Sequence, residues 1–246
     1  MEIGRASEMA EKVAGSISAT GTRRRQVETI NNPGSSKQRA WTVVLASTKG
    51  GCAKTTTALG LIGAAHDEGL IVEAIDTDVS QRTLHEWIGG RDDIRLTVMR
   101  PEAAADYVRA SQADIILIDT QGSDAPAVGY VLSVADLVVI TMSDSKVEID
   151  PAIRLFLRLR ERGRRVRIVM SCVDRIDSAR VDRARSRVNS AARLWTTIPR
   201  RVAVKDAAAS HCLLSELAEA RPVHNRFVDL LKEILEIRDK TRRQEA

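Results

Sequence analysis

The chain of 246 residues is poor in aromatics, at 3%, and has only three cysteines and four histidines. Few rings mean few base-stacking platforms, and the core must be built mainly from Ala, Val, Ile and Leu. Cys52, Cys172 and Cys212 lie far apart with no C-x-x-C spacing, which argues against a disulfide framework and a structural zinc and reads as reduced thiols. His66, His85, His211 and His224 show no metal-ligand spacing. No apolar run approaches the ~20 residues that cross a bilayer. The first residues, Met1 to Glu8, lack the apolar stretch of a signal peptide, so a cytoplasmic protein is expected.

What is present suits a globular protein, with 43% hydrophobic and 29% charged residues. The net charge is +5, and 30 of the 38 basic residues are Arg, a balance that permits an anionic partner. Residues 1–40 hold Gly15-Ser16, Arg23-Arg24-Arg25 and Asn31-Asn32-Pro33-Gly34, with few large apolar side chains. They read as a mostly disordered basic arm and linker, with a short helix possible over 8–14, ahead of a domain spanning 41–246.

From Trp41 the texture changes. Apolar runs at 42–46, 71–75, 94–98, 115–118, 137–141 and 166–170 alternate with segments of helical period near 54–68, 80–89, 101–112, 124–134, 150–163 and 178–194. Strands alternating with helices imply βαβ crossovers, hence an α/β fold with a doubly wound, mainly parallel sheet covered on both faces. In such sheets ligands bind beyond the carboxyl ends of the strands. Chemistry is therefore expected at Ser47–Thr56, Asp76–Gln81, Asp119–Asp124, Ser143–Lys146 and Ser171–Asp177.

The first of these segments is Ser-Thr-Lys49-Gly50-Gly51-Cys52-Ala53-Lys54-Thr55-Thr56. A strand, a glycine pair and a Lys-Thr opening a helix form the layout of a phosphate cradle, in which backbone amides and a helix N-terminus face the oxygens. Lys54 is placed to neutralise β and γ oxygens, and Thr55 to ligate Mg²⁺. Thr48 and Ala53 stand where the strict G-x-x-x-x-G-K-[ST] pattern has glycine. Two carboxylates, Asp76 and Asp78, follow the second strand, and Asp119 ends the run Asp114-Ile-Ile-Leu-Ile as a metal-holding carboxylate would. Gly122 offers a backbone amide to a γ-phosphate, in a loop over 120–125 suited to sensing nucleotide state.

The loop resembles the deviant Walker A motif, K-G-G-x-G-K-T-[ST], of the ParA/MinD family of ATPases, closest to its ParA-type partitioning proteins. Lys49 matches that family's signature lysine, Lys54 its ordinary phosphate-loop lysine and Thr55 its Mg²⁺-ligating threonine; Ala53 departs from the motif. Asp76-Thr-Asp78-Val-Ser-Gln is similar to the family's D-x-D-P-Q segment, with Val-Ser in place of Pro. Asp78 then orients the attacking water, while Asp76 supports the loop and the metal shell, and Thr55, Asp76 and Asp119 make up the metal set. Ser171 stands where the family has an Asn near the adenine ring, and Thr197-Ile-Pro199-Arg200-Arg201 looks like its I-P-R tract. The resemblance covers roughly residues 41–220.

It implies a P-loop NTPase fold and an ATPase that uses ATP and Mg²⁺. It also implies a homodimer sandwiching ATP, with Lys49 reaching across to the partner's phosphates, nonspecific DNA, a ParB-type adaptor that stimulates hydrolysis, and association with the nucleoid. Residues 150–195 contain 13 Arg against five acidic residues, and Arg183, Arg187, Arg200, Arg201 and Lys205 are the candidate DNA contacts. Two other readings use the same scaffold. A small-molecule ligase or kinase would need a second substrate pocket and would have no use for Lys49. A MinD-like membrane positioner would need an amphipathic end, whereas the stripe Val223, Phe227, Leu230, Leu231, Ile234 and Leu235 is expected to pack on the domain and is followed by a polar tail. An iron–sulfur reductase is disfavoured by the lack of closely spaced thiolates.

Overall fold

In the computed structural model, the described residues are 39–121 and 128–245. Seven parallel strands form one sheet in the order β3-β2-β4-β1-β5-β6-β7: β1 (Trp41–Ala46), β2 (Val72–Asp76), β3 (Arg95–Val98), β4 (Ile115–Asp119), β5 (Leu137–Met142), β6 (Val166–Val173) and β7 (Arg193–Pro199). Each of β1, β2, β4 and β5 is buried along its whole length, as expected where helices cover both faces of a parallel sheet. The helices are α1 (Lys54–Asp67), α2 (Thr83–Ile88), α3 (Ala104–Ala110), α4 (Val128–Val134), α5 (Lys146–Glu161), α6 (Ala179–Arg187), α7 (Val202–Ala209) and α8 (Arg221–Glu245). The doubly wound, mainly parallel α/β fold expected from the alternating pattern is thus the observed one. The expected arm over 1–40 lies outside the described residues apart from Arg39 and Ala40, and so does Gly122.

One stretch differs from expectation. The helix expected over 178–194 stops at Arg187, and residues 193–199 form a seventh strand. Between them Asn189 turns the chain, its side-chain oxygen accepting the Ala191 N–H at 2.8 Å and its carbonyl the Ala192 N–H at 2.9 Å. The run Leu-Trp-Thr-Thr-Ile then has the β-branched and aromatic character of a strand.

The sheet supports three apolar clusters. The largest gathers Leu59 and Ile62 of α1 with Phe227, Leu231 and Ile234 of α8. A second lies between β5, β6, α5 and α6, around Ile140, Leu155 and Val181. The third sits on the other face beneath α3 and α4, around Ile116, Ile118, Val108 and Val131. The seam between α1 and α8 explains a glycine in mid-helix, where it costs about 1 kcal/mol relative to alanine: a Cβ on Gly60 would lie 2.3 Å from the Phe227 ring. Burial of Val223, Phe227, Leu230, Leu231 and Ile234 shows that the apolar stripe of α8 faces the domain. Among the described residues no helix is long and apolar enough to cross a membrane.

Candidate nucleotide site

The site lies at the carboxyl ends of β1, β4 and β2, neighbours in the sheet. Parallel register sets Asp119 of β4 beside Leu45 of β1 and Asp76 of β2. The Thr77 N–H and hydroxyl both donate to the Asp119 carbonyl, at 3.0 and 2.9 Å, and the Thr120 hydroxyl donates to the Leu45 carbonyl at 2.7 Å. These bonds lock the three strand ends together.

Within the loop Lys54 is 7% exposed. Its ammonium donates to the Ser47 Oγ at 2.9 Å, and the Ser47 hydroxyl donates in turn to the Lys49 carbonyl at 2.7 Å. A buried cation held this way has its charge fixed beside the amides of the loop. Ser47, which the sequence marks only as the start of the loop, therefore sets its shape. Lys49, by contrast, is exposed, as are Gly50 and Gly51; Thr55 and Thr56 are half-buried and Cys52 is buried. Burial is the main influence pushing the Cys52 thiol up, with help from Glu148. Glu148 also accepts the Ser143 N–H at 2.8 Å, so it joins the loop after β5 to the phosphate loop, a link that nothing in the local sequence announces.

Gly51 has φ of +79°, where glycine is the natural choice, and Ala53 has φ of +61°. A negative φ would have let an alanine sit there freely; instead Ala53 takes the left-handed conformation that its motif reserves for glycine, at about 1–2 kcal/mol. The loop keeps the glycine shape without the glycine.

The three carboxylates differ sharply. Asp119 is 3% exposed, and its Oδ1 is buried without a hydrogen-bond partner. Burial pushes its carboxyl up to about 7, and the Asp76 charge adds to the shift while the Thr55 hydroxyl and Lys54 oppose it. Asp76 has both oxygens engaged by backbone: Oδ1 accepts from Asp78 N at 3.0 Å, and Oδ2 from Leu84 N and His85 N at 3.1 and 3.3 Å. These bonds fasten the β2–α2 loop to the end of β2, the loop-supporting part of the role expected for Asp76. Asp78 is half-buried, its Oδ1 accepting from Ser80 Oγ at 2.6 Å, Gln81 N at 3.0 Å and, at 3.4 Å, Gln121 Nε2 from the end of β4. Among the described residues no three His, Cys, Asp or Glu side chains converge as a metal cage.

Ser171 is 1% exposed, and its hydroxyl shares a 3.1 Å hydrogen bond with Thr57 of α1. Pro199, buried at the end of β7, pairs in register with Val173.

The candidate DNA contacts are distributed over α6, α7 and the connection that precedes α7. Arg183 and Arg187 project from α6, and Lys205 belongs to α7, which packs against α2; Arg200 and Arg201 lie in the connection between β7 and α7. Arg187 is 2.6 Å from Asp150, and Arg200 is 3.3 Å from Asp174. Arg183, Arg201 and Lys205 are exposed and enter no ion pair among the described residues.

A glycine-bearing loop that opens a helix, a buried lysine in it, and an unsatisfied carboxylate at the end of the adjacent strand define a P-loop nucleotide-binding site. The model of the CobQ/CobB/MinD/ParA nucleotide binding domain family matches residues 43–214, and the chain belongs to that family. Solved structures of similar fold include MinD of Pyrococcus horikoshii in complex with Mg-ADP, at 15% identity and TM-score 0.69 over 79% of this chain and 96% of that one. The McdA–ATP complex of Cyanothece covers 81% of this chain and 97% of its own at 18% identity and TM-score 0.65. A ParA family ATPase of Chlorobium tepidum covers 78% and 98% at 17% identity and TM-score 0.64. No curated protein sequence matches the chain.

Proposed function

We propose that the protein is a Mg²⁺-dependent ATPase of the ParA type, which dimerises around ATP, binds DNA without sequence preference in that state and so positions plasmid, chromosomal or other cargo. The observation that carries this reading is the pair of lysines in one loop, Lys54 buried against Ser47 and Lys49 exposed. One is committed to phosphate within its own subunit; the other is available to a second one.

The residues fit magnesium. Asp119 Oδ1 is a buried oxygen in want of a partner, the Thr55 hydroxyl lies beside that carboxylate, and an all-oxygen set with few protein ligands suits an ion that keeps phosphates and waters in its shell. Bound there, the ion supplies charge neutralisation between phosphate oxygens. Lys54 and the loop amides hold the phosphates. Asp78, whose Oδ1 is tied into its own turn, turns its carboxylate toward the attacking water. Lys49 of one subunit stabilises charge developing on the nucleotide of the other.

DNA binding by Arg183, Arg187, Arg200, Arg201 and Lys205 would follow the bend of the chain from α6 to α7. Stimulation by a ParB-type adaptor and association with the nucleoid complete the reading. Asp78→Ala should dimerise with ATP, stay on DNA and fail to hydrolyse. Lys49→Ala should remain monomeric, because two anionic nucleotides then face each other without a shared cation. Size-exclusion chromatography with light scattering, in ATP and Mg²⁺, decides between them; equal dimerisation of the two variants would remove Lys49 from the interface and with it the ParA reading.

A further inference from the structure

The two edges of the sheet are finished differently. Along β7 the N–H groups of Trp195 and Thr196 donate to the Glu233 carboxylate of α8 at 2.6 and 2.7 Å, which bars another strand from pairing at those positions. β3 is the other edge. Its residues Leu96, Thr97 and Val98, with Met99 after them, are only half-buried, and among the described residues no strand pairs with its outer side.

A cleft of about 650 Å³ opens beside this strand, lined by Val79, Arg82 and His85 and by the successive residues 96–100. Five consecutive lining residues make it a groove that follows the chain. Its apolar surface comes from Val79, Leu96, Val98 and Met99, and its charge from Arg82 and Arg100; among the described residues no carboxylate lines it. Neither arginine enters an ion pair among the described residues, although ion pairs occupy many of the other arginines, Arg91, Arg95, Arg180 and Arg187 among them. Such a groove repels a basic segment. It suits an extended chain that carries carboxylates between aliphatic side chains.

We propose that the groove at the free edge of β3 docks an extended acidic and aliphatic segment of a partner protein, its carboxylates on Arg82 and Arg100. The groove shares a turn with Asp78. Arg82 N donates to the Asp78 carbonyl at 2.8 Å and Arg82 Nε to the Val79 carbonyl at 3.1 Å, while Arg82 itself holds φ of +50°. A docked carboxylate draws the Arg82 guanidinium off Val79 and loosens the turn that aims Asp78. This consequence rests on the ATPase reading; the docking does not.

The probe is a fluorescein-labelled peptide of alternating Asp and Val, compared with its Lys and Val counterpart by anisotropy on the full chain. The acidic peptide should bind at least about tenfold more tightly than the basic one. Arg100→Glu should weaken it by a similar factor while its ATP affinity stays unchanged as proof of fold, and Arg82→Glu with Arg100→Glu should reverse the preference. Equal binding of the two peptides, an Arg100→Glu variant that binds as before, or complete displacement by millimolar inorganic phosphate would overturn the proposal. A chain that binds the acidic peptide but turns over no ATP would lose the ATPase reading and keep the docking site; wild-type turnover altered by the peptide, and unaltered in Arg100→Glu, would support both.

Discussion

Lys54 and Arg183 carry the same charge in opposite circumstances. Lys54 is buried, hydrogen-bonded to Ser47 and surrounded by strand ends tied to one another, whereas Arg183 stands in water on α6 with no ion pair among the described residues. Burial concentrates the phosphate-binding capacity of the loop in single atoms that nothing else replaces. Exposure spreads the positive charge of the arginine-rich half over many side chains, each screened by salt. The first region should fail abruptly under mutation and the second by degrees.

The largest effect belongs to the buried side. Lys54→Ala should reduce ATP affinity about a hundredfold or more in equilibrium dialysis, since a cradle of amides without its fixed cation leaves the β and γ oxygens uncompensated. Retained affinity would mean that burial confers no special weight on this lysine. On the exposed side, Arg200→Ala with Arg201→Ala should weaken DNA binding equally for all sequences and lower the slope of log K against log salt by about 0.9 for each phosphate no longer neutralised. Because Arg200 already faces Asp174 at 3.3 Å, the fall should be nearer that of one phosphate than of two. An unchanged slope would remove Arg200 and Arg201 from the proposed DNA contacts.

The smallest effect probes the loop backbone. Ala53→Gly should raise stability by about 0.5–1 kcal/mol, the relief of a left-handed alanine less the entropy that glycine adds to the unfolded chain. Thermal unfolding would register it as an upward shift in Tm, and a downward shift would show that Ala53 is not held at positive φ in solution.

How far the sequence could be read follows the same division between local and distant causes. The phosphate loop, the strand ends and six of the seven strands were legible because apolar runs bounded by glycine or aspartate announce themselves within a few residues. β7 was not, because Ala191, Ala192 and Arg193 read as a continuation of α6 and mask the turn at Asn189, so that the strand character of the residues after them was overlooked and pairing with β6 reveals it. Asp76 shows the same limit within the site. Its place at the end of β2 was visible, but its engagement by Leu84 and His85 depends on how α2 begins. The role of Ser47 depends on a side chain seven residues away, and that of Glu148 on a loop from another part of the sheet.

The seam between α1 and α8 bears on how the chain is made. All seven strands and α1 precede residues 221–245 in order of synthesis, yet those residues supply Phe227, Leu230, Leu231 and Ile234 to the cluster around Leu59 and Ile62. Until they emerge from the ribosome, the phosphate-loop helix has one apolar side uncovered, and Glu233 is not yet there to cap Trp195 and Thr196. The nascent chain thus offers this apolar surface to chaperones and to self-association until α8 has emerged.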